Sequence, residues 1–172
     1  MEFNDVIKNR YSVRSFTGES VRKETLDKIL NAGHLAPTAC NFQPQRILVI
    51  NTPEAIEKLR ECTRSHFDAP TALLVCYNKD ECWSRKCDGA SSGVIDASIV
   101  ATHLLLSAEN EGVGATWIMN FDSCKMREVL SIPENIIPVA LLIMGYAAQD
   151  AQPHPYHSQF RDISETIIYN KF

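Results

Sequence analysis

Apolar and polar positions along this chain alternate between two periods, one near 3.6 residues and one of two, with no repeats or low-complexity tracts. Phe3, Val6 and Ile7 recur at helical spacing and predict a short helix over residues 2–9. Leu26, Ile29 and Leu30 predict a second over 21–32, with Gly33 placed to stop it. Ile47, Leu48, Val49 and Ile50 predict a strand over 45–51. Thr52-Pro53-Glu54 then opens a helix: Thr caps, Pro suits the first turn and Glu suits the helix dipole. A buried strand is expected over 72–77. The longest helical pattern covers 94–111, with Ile95, Ile99, Thr102, Leu105 and Leu106 as its apolar side and Gly112 and Gly114 beyond its end. Strands are expected over 115–119 and, entered after Pro138, over 139–146; Asp122 or Ser123 caps a short helix to Leu130 between them. Helices in the connections between strands predict an α+β or α/β sheet layered with helices, in one domain spanning 1–172. Strand order does not follow from the pattern. The last stretch, Ala147 to Phe172, is polar and Pro-rich in its first half and apolar from Ile163 onward, as expected of a tail that wraps a neighbouring subunit.

Composition narrows the function classes. The net charge is −4 and the 17 basic residues are scattered. That is no footprint for nucleic acid, which calls for a basic stripe to displace counterions. The longest strongly apolar stretch, Ile136 to Met144, is far short of a membrane span. Acidic Glu2 and Asp5 stand where a secretory leader carries a basic start, so a cytoplasmic location is expected. The six cysteines, Cys40, Cys62, Cys76, Cys82, Cys87 and Cys124, follow no metal-ligand spacing. His154 and His157 are kept from sharing a helical face by Pro153 and Pro155. No metal site is expected, and Cys76 reads as core.

No nucleotide loop or nucleophile elbow is present. Gly112-Val113-Gly114 follows a helix and enters a strand, the reverse of a dinucleotide fingerprint, and Trp117 stands where its last glycine belongs. Three dispersed pieces remain. In Arg10-Tyr11-Ser12-Val13-Arg14 an extended backbone puts Arg10, Ser12 and Arg14 on one face, suited to a phosphate or a polar ring edge, or simply to a solvated turn. Ala36-Pro37-Thr38-Ala39-Cys40-Asn41-Phe42-Gln43-Pro44 is a loop stiffened by prolines that offers hydroxyl and amide groups. Gly112 to Ile118 lets backbone approach a flat ligand closely, or marks a helix stop before a core strand.

Taken in order and at their spacing, these pieces resemble the nitroreductase family of FMN-dependent oxidoreductases. NRYSVRSF resembles the family's Arg-x-Ser-x-Arg/Lys segment, and APTACNFQP its Ala-Pro-Ser-x-x-Asn-x-Gln-Pro loop. IDASIVATHLLLSAENEGVGATWI is similar to its central helix and Gly-Leu-Gly-x-x-Trp turn; IMGY and HSQFRDISETIIYN resemble its last strand end and C-terminal segment. The resemblance implies an α+β fold with a mainly antiparallel sheet, and a homodimer whose C-terminal tail reaches the partner subunit. FMN would lie at the interface. Arg10, Ser12 and Arg161 would hold its phosphate, Tyr11 would be a further cofactor-binding residue, and Arg14 would lie near the N1/O2 edge. Pro37, Thr38 and Ala39 would come from the other subunit, with Asn41 and Gln43 at the ring edge or interface. The main chain at Met119 and Asn120 would face N5.

The implied chemistry is hydride transfer from NAD(P)H through flavin N5 to a nitroaromatic, quinone or related small acceptor, by a ping-pong mechanism with no named catalytic side chain. Met119 departs from the family's usual Gly or Glu, Gln45 from Trp, and Ala147 from Pro. The segment between the second strand and the central helix is short, Lys79 to Gly93, and its Trp83 is the candidate substrate contact: a lid over the flavin or a rim aromatic. A reductive dehalogenase or a non-enzymatic FMN-binding module on the same fold are the competing functions.

Overall fold

The computed structural model describes all residues from Met1 to Phe172. Helices α1 (Phe3–Asn9), α2 (Lys23–His34), α3 (Pro53–Arg60), α4 (Gly93–Asn110), α5 (Ser123–Val129) and α6 (Ile163–Thr166) surround strands β1 (Gln45–Ile50), β2 (Thr71–Asn78), β3 (Gly114–Ile118) and β4 (Ile136–Gly145). The four strands form one antiparallel sheet in the order β1-β2-β4-β3, so this is an α+β fold.

Both faces of the sheet are covered, which explains why β2 from Ala72 to Cys76 and all of β4 are apolar. Leu73, Val75, Ala140, Leu142 and Met144 point to a core shared with α2 and α4. Their alternating neighbours Ala72, Leu74, Cys76, Leu141 and Ile143 face a second core with Ile56, Leu59 and Met126 from α3 and α5. Each large side chain fully buried this way contributes roughly 1.5–3 kcal/mol. Thr52 caps α3 as the sequence predicts, accepting from the Ala55 amide at 3.3 Å, and Asp122 caps α5 by accepting from Lys125.

Four local expectations change. Gly33 does not stop α2; it lies inside the helix, where a Cβ would meet Leu104 Cδ2 at 2.7 Å, so its bareness lets α2 and α4 touch. Pro138 lies within β4 rather than ahead of it. It pairs with Cys76 at a register shift, and the β3 ladder begins only at Leu141, so its missing N–H is tolerated. Met119 falls just outside β3. The largest change is in α4. Its buried side is Asp96, Ala97, Val100, Ala101, Leu104 and Ala108, whereas Ile95 is 63% exposed and Thr102 faces solvent. Small residues let the helix press close to the sheet, and its bulkier apolar side is left uncovered.

The segment after α1 closes one edge of the sheet. Ser12 bridges Ala115 in parallel, the Val13 amide donates to the Ala115 carbonyl at 3.3 Å, and Thr116 donates its hydroxyl to the Val13 carbonyl. Phe16 and Ala147 then pair in antiparallel fashion, which anchors the start of the tail. From there the chain runs over the surface: Phe160 is 87% and Tyr169 81% exposed. No helix is long and apolar enough to cross a membrane.

Candidate functional site

The Arg10–Arg14 segment owes its shape to the end of α1. Arg10 leaves the helix at φ −56°, ψ 123° while its amide still donates to Val6 at 3.1 Å. Alternation then buries Val13 against the sheet and turns Ser12 and Arg14 outward, with Arg14 donating to the Ser12 carbonyl at 3.3 Å. Gly114 makes the approach possible, since a Cβ there would lie 2.7 Å from Val13 Cγ2.

Arg10 lines a cleft of about 570 Å³ with Lys8, His157, Tyr156 and Phe160. The Tyr11 ring meets His157 edge-on at 6.3 Å. Three nitrogen-bearing side chains on one cleft make an anion site suited to a phosphate. Glu109 on α4 opposes them: burial pushes its carboxyl above the usual carboxylate range, and the Arg10 charge pulls the other way. Arg161 does not line this cleft. It is exposed and pairs with Glu165 at 3.3 Å.

Where β3 ends, Met119 and Asn120 are exposed, and their amide N–H groups donate to no protein acceptor. The Asn120 carbonyl is held by the Thr63 hydroxyl at 2.7 Å, which fixes the peptide's orientation. Met119 lies four residues beyond Ala115, the bridge partner of Ser12, or about 13 Å along the strand.

The Pro37–Pro44 loop is built separately. The Thr38 hydroxyl accepts from the Gln43 amide at 3.1 Å, and the Thr38 carbonyl from the Asn41 amide at 3.0 Å. The Gln43 side chain donates to the Asn41 carbonyl at 3.4 Å. Cys40, Asn41 and Gln43 all take left-handed backbone angles, with φ of 50°, 57° and 51°. Such angles are uncommon for residues with a side chain and cluster at ligand sites. Pro37 is exposed. Ala39 donates its amide to Asp96 Oδ1 at 2.9 Å and shares a cavity of about 310 Å³ with Trp83.

The predicted site residues therefore fall into two groups. Arg10 sits beside Glu109 near the C-terminal end of α4, and Ala39 is bonded to Asp96 near its N-terminal end. Asp96 and Glu109 are thirteen positions apart on α4, about 20 Å along the axis. One chain does not bring Arg10 and Ala39 together.

Comparison with known proteins decides the family. The family model described as "Nitroreductase family" matches residues 7–81 and 64–146. The chain belongs to the nitroreductase family. Among its relatives, a Methanothermobacter thermautotrophicus protein bearing the name NADH dehydrogenase/NAD(P)H nitroreductase is 32% identical over 157 residues, covering 87% of this chain and 80% of that one. A solved nitroreductase family protein from Clostridium difficile 630 superposes with a TM-score of 0.94 at 38% identity, covering all of both chains. A nitroreductase from Desulfovibrio desulfuricans, solved in complex with FMN, has a TM-score of 0.80 at 26% identity and covers 100% of this chain and 98% of that one.

For a nitroreductase-family chain, the structure adds residues the sequence did not single out. His157 joins Lys8 and Arg10 only through folding, since the tail meets the end of helix α1 there. Thr63 reaches Asn120 across 57 positions, and no local pattern marks it. Asp96 had a visible signal: an acid in the first turn of a largely apolar helix. No group of three or more His, Cys, Asp or Glu gathers as a metal site would require.

Proposed function

We propose that this nitroreductase-family chain is an FMN-dependent NAD(P)H oxidoreductase that works as a homodimer. The observation that carries the reading is the alignment, along one sheet edge, of a cationic cleft at Arg10 with two unpartnered amide N–H groups at Met119 and Asn120. Those donors suit the two ends of FMN, a phosphate dianion and an electron-poor ring nitrogen. When bound, FMN supplies a hydride acceptor at N5 and a store for two electrons. Lys8, Arg10, Ser12 and His157 hold the phosphate end. The Asn120 amide, fixed through Thr63, donates to the ring edge, and Arg14 lends positive charge to the pyrimidine side. Arg161 joins the phosphate if the tail rearranges and gives up Glu165.

The second group of residues acts from the partner subunit, because about 20 Å separates it from Arg10 within one chain. The partner's loop corresponding to Pro37, Thr38, Ala39, Asn41 and Gln43 packs on the ring, with Trp83 close to the open face. The exposed apolar side of α4, carrying Val94 and Ile95, and the uncovered tail supply the dimer surface. NAD(P)H and then a nitroaromatic, quinone or related acceptor would occupy the same open site beside Trp83 in turn, which would make the kinetics ping-pong. A reducing cytoplasm, which holds both nicotinamide and free thiols, is the fitting location.

Anaerobic titration with NADH tests the reading. The purified protein, incubated with FMN and desalted, should be yellow and should bleach rapidly. A colourless protein overturns FMN binding, and a yellow protein that NADH and NADPH leave unbleached reduces the function to a flavin-binding module.

A further inference from the structure

Asp96 is 2% exposed on the sheet-facing side of α4, among Ala97, Val100 and Ala101. A carboxylate is tolerated in such surroundings only when its oxygens are met by donors. Both are met, from different parts of the chain. Oδ2 accepts from the Ser92 hydroxyl at 2.7 Å, and Oδ1 accepts from the Ala39 amide at 2.9 Å. Ser92 in turn donates its own amide to the Trp83 carbonyl at 2.9 Å. A continuous chain of hydrogen bonds thus runs from Trp83 through Ser92 and Asp96 to Ala39. The two ends of that chain both line the cavity of about 310 Å³, together with Ile95 and Ile99.

We propose that Asp96 is a positioning residue that ties the Trp83 segment to the Pro37–Gln43 loop, so that the two form one rigid jaw over the flavin. The assignment of that jaw to a flavin rests on the function proposed above; the tie itself does not. The loop needs such a tie. Three of its residues hold left-handed angles that a free loop abandons, and apart from Arg46 donating to the Gln43 carbonyl at 3.3 Å its other hydrogen bonds close within itself. The Ala39 amide is where it is fastened to α4. Because Ser92 is gripped by the same carboxylate, loosening Asp96 frees both walls of the cavity at once.

Amide hydrogen exchange on the flavin-free protein tests the tie, and FMN titration tests its consequence. Asp96→Ala should speed exchange about tenfold or more in residues 38–43 and in 83–92 together, while 71–78 and 139–145 keep their protection. It should also weaken FMN binding about tenfold. Asp96→Asn still accepts from Ala39 and can donate to the Ser92 hydroxyl, so it should stay within about threefold of the parent on both measures. If Asp96→Ala does not fold, Ser92→Ala carries the test, with exchange at Ala39 expected to quicken although that amide is untouched. Faster exchange in one segment alone, equal loosening of the strands, or an unchanged Ala39 amide in Ser92→Ala would overturn the proposal. If the parent protein takes up no FMN, the function proposed above fails while the exchange experiment still decides the tie.

Discussion

Thr116 donates its hydroxyl to the carbonyl of Val13, a bond spanning 103 positions that locks the Arg10–Arg14 segment onto β3. The contact is buried on both sides, so nothing from solvent replaces it. Thr116→Val removes the donor, keeps the shape and leaves the carbonyl unpaired, at a cost of about 1–3 kcal/mol. For a chain of this size that lowers the melting temperature by roughly 3–10 °C. FMN affinity should fall with it, and Thr116→Ser should restore both. Calorimetry and flavin titration of the two variants check this.

Arg10→Ala should weaken FMN binding about ten- to a hundredfold, the worth of a charge-assisted hydrogen bond of roughly 1.5–3 kcal/mol. Arg10→Lys should recover only part, because an ammonium keeps the charge without the planar fork. Riboflavin, which lacks the phosphate, should bind both variants nearly alike. Equal losses for the two flavins would show that Arg10 acts through folding rather than on the phosphate.

Glu109→Gln should tighten FMN binding at neutral pH. Burial raises this carboxyl above the usual carboxylate range, and in its ionised form it offsets Arg10 as seen by an incoming phosphate. The gain should be about two- to fivefold, typical of a charge pair worth about 0.5–1 kcal/mol. The advantage should fade as pH falls through the raised carboxyl range, where the parent's Glu109 is itself neutral. The same shift has a stability sign. A carboxyl raised on folding favours the fold while protonated, and that contribution is lost as pH rises. FMN dissociation constants for both proteins across the acid range give the comparison.

Thiol labelling should divide the six cysteines. Cys40, Cys87 and Cys124 are exposed and should react first. Cys62 and Cys76 are buried, and burial pushes the Cys76 thiol up to about 12, so both should wait for unfolding. Cys82, raised by burial and donating to the Asn78 carbonyl at 3.2 Å, should be slow. Added FMN should protect Cys40, which lies in the proposed cofactor loop, and leave Cys124 unprotected. Mass spectrometry of time-quenched samples reads each site.

Truncation after Gln149 removes Tyr156, Phe160 and Tyr169, large aromatics that are mostly exposed in the single chain. Dimerisation and FMN affinity should fall together, because ligand binding and association are linked. Sedimentation equilibrium with and without FMN measures both. A truncated chain that stays dimeric would assign the interface to α4 alone.

Features written in neighbouring residues are legible in the amino-acid sequence alone. Thr52-Pro53-Glu54 starts a helix, residues 45–50 and 72–77 form strands, and Ser12 and Arg14 turn away from buried Val13, because caps, alternation and backbone sterics act over a few positions. Side choice on α4 is not legible there. A helix apolar nearly all round carries no periodic mark of which side meets the sheet, and close approach favours Ala97 and Ala101 over the larger Ile95. Gly33 as a contact rather than a stop, Pro138 at a register shift, and the order β1-β2-β4-β3 depend likewise on which surfaces meet. The motif residues stand out along the chain, but their division into two groups does not, since it is the length of α4 that holds Arg10 and Ala39 apart. Spacing along a chain fixes what each segment prefers, whereas distance between segments is set by the packing of cores that no single segment contains.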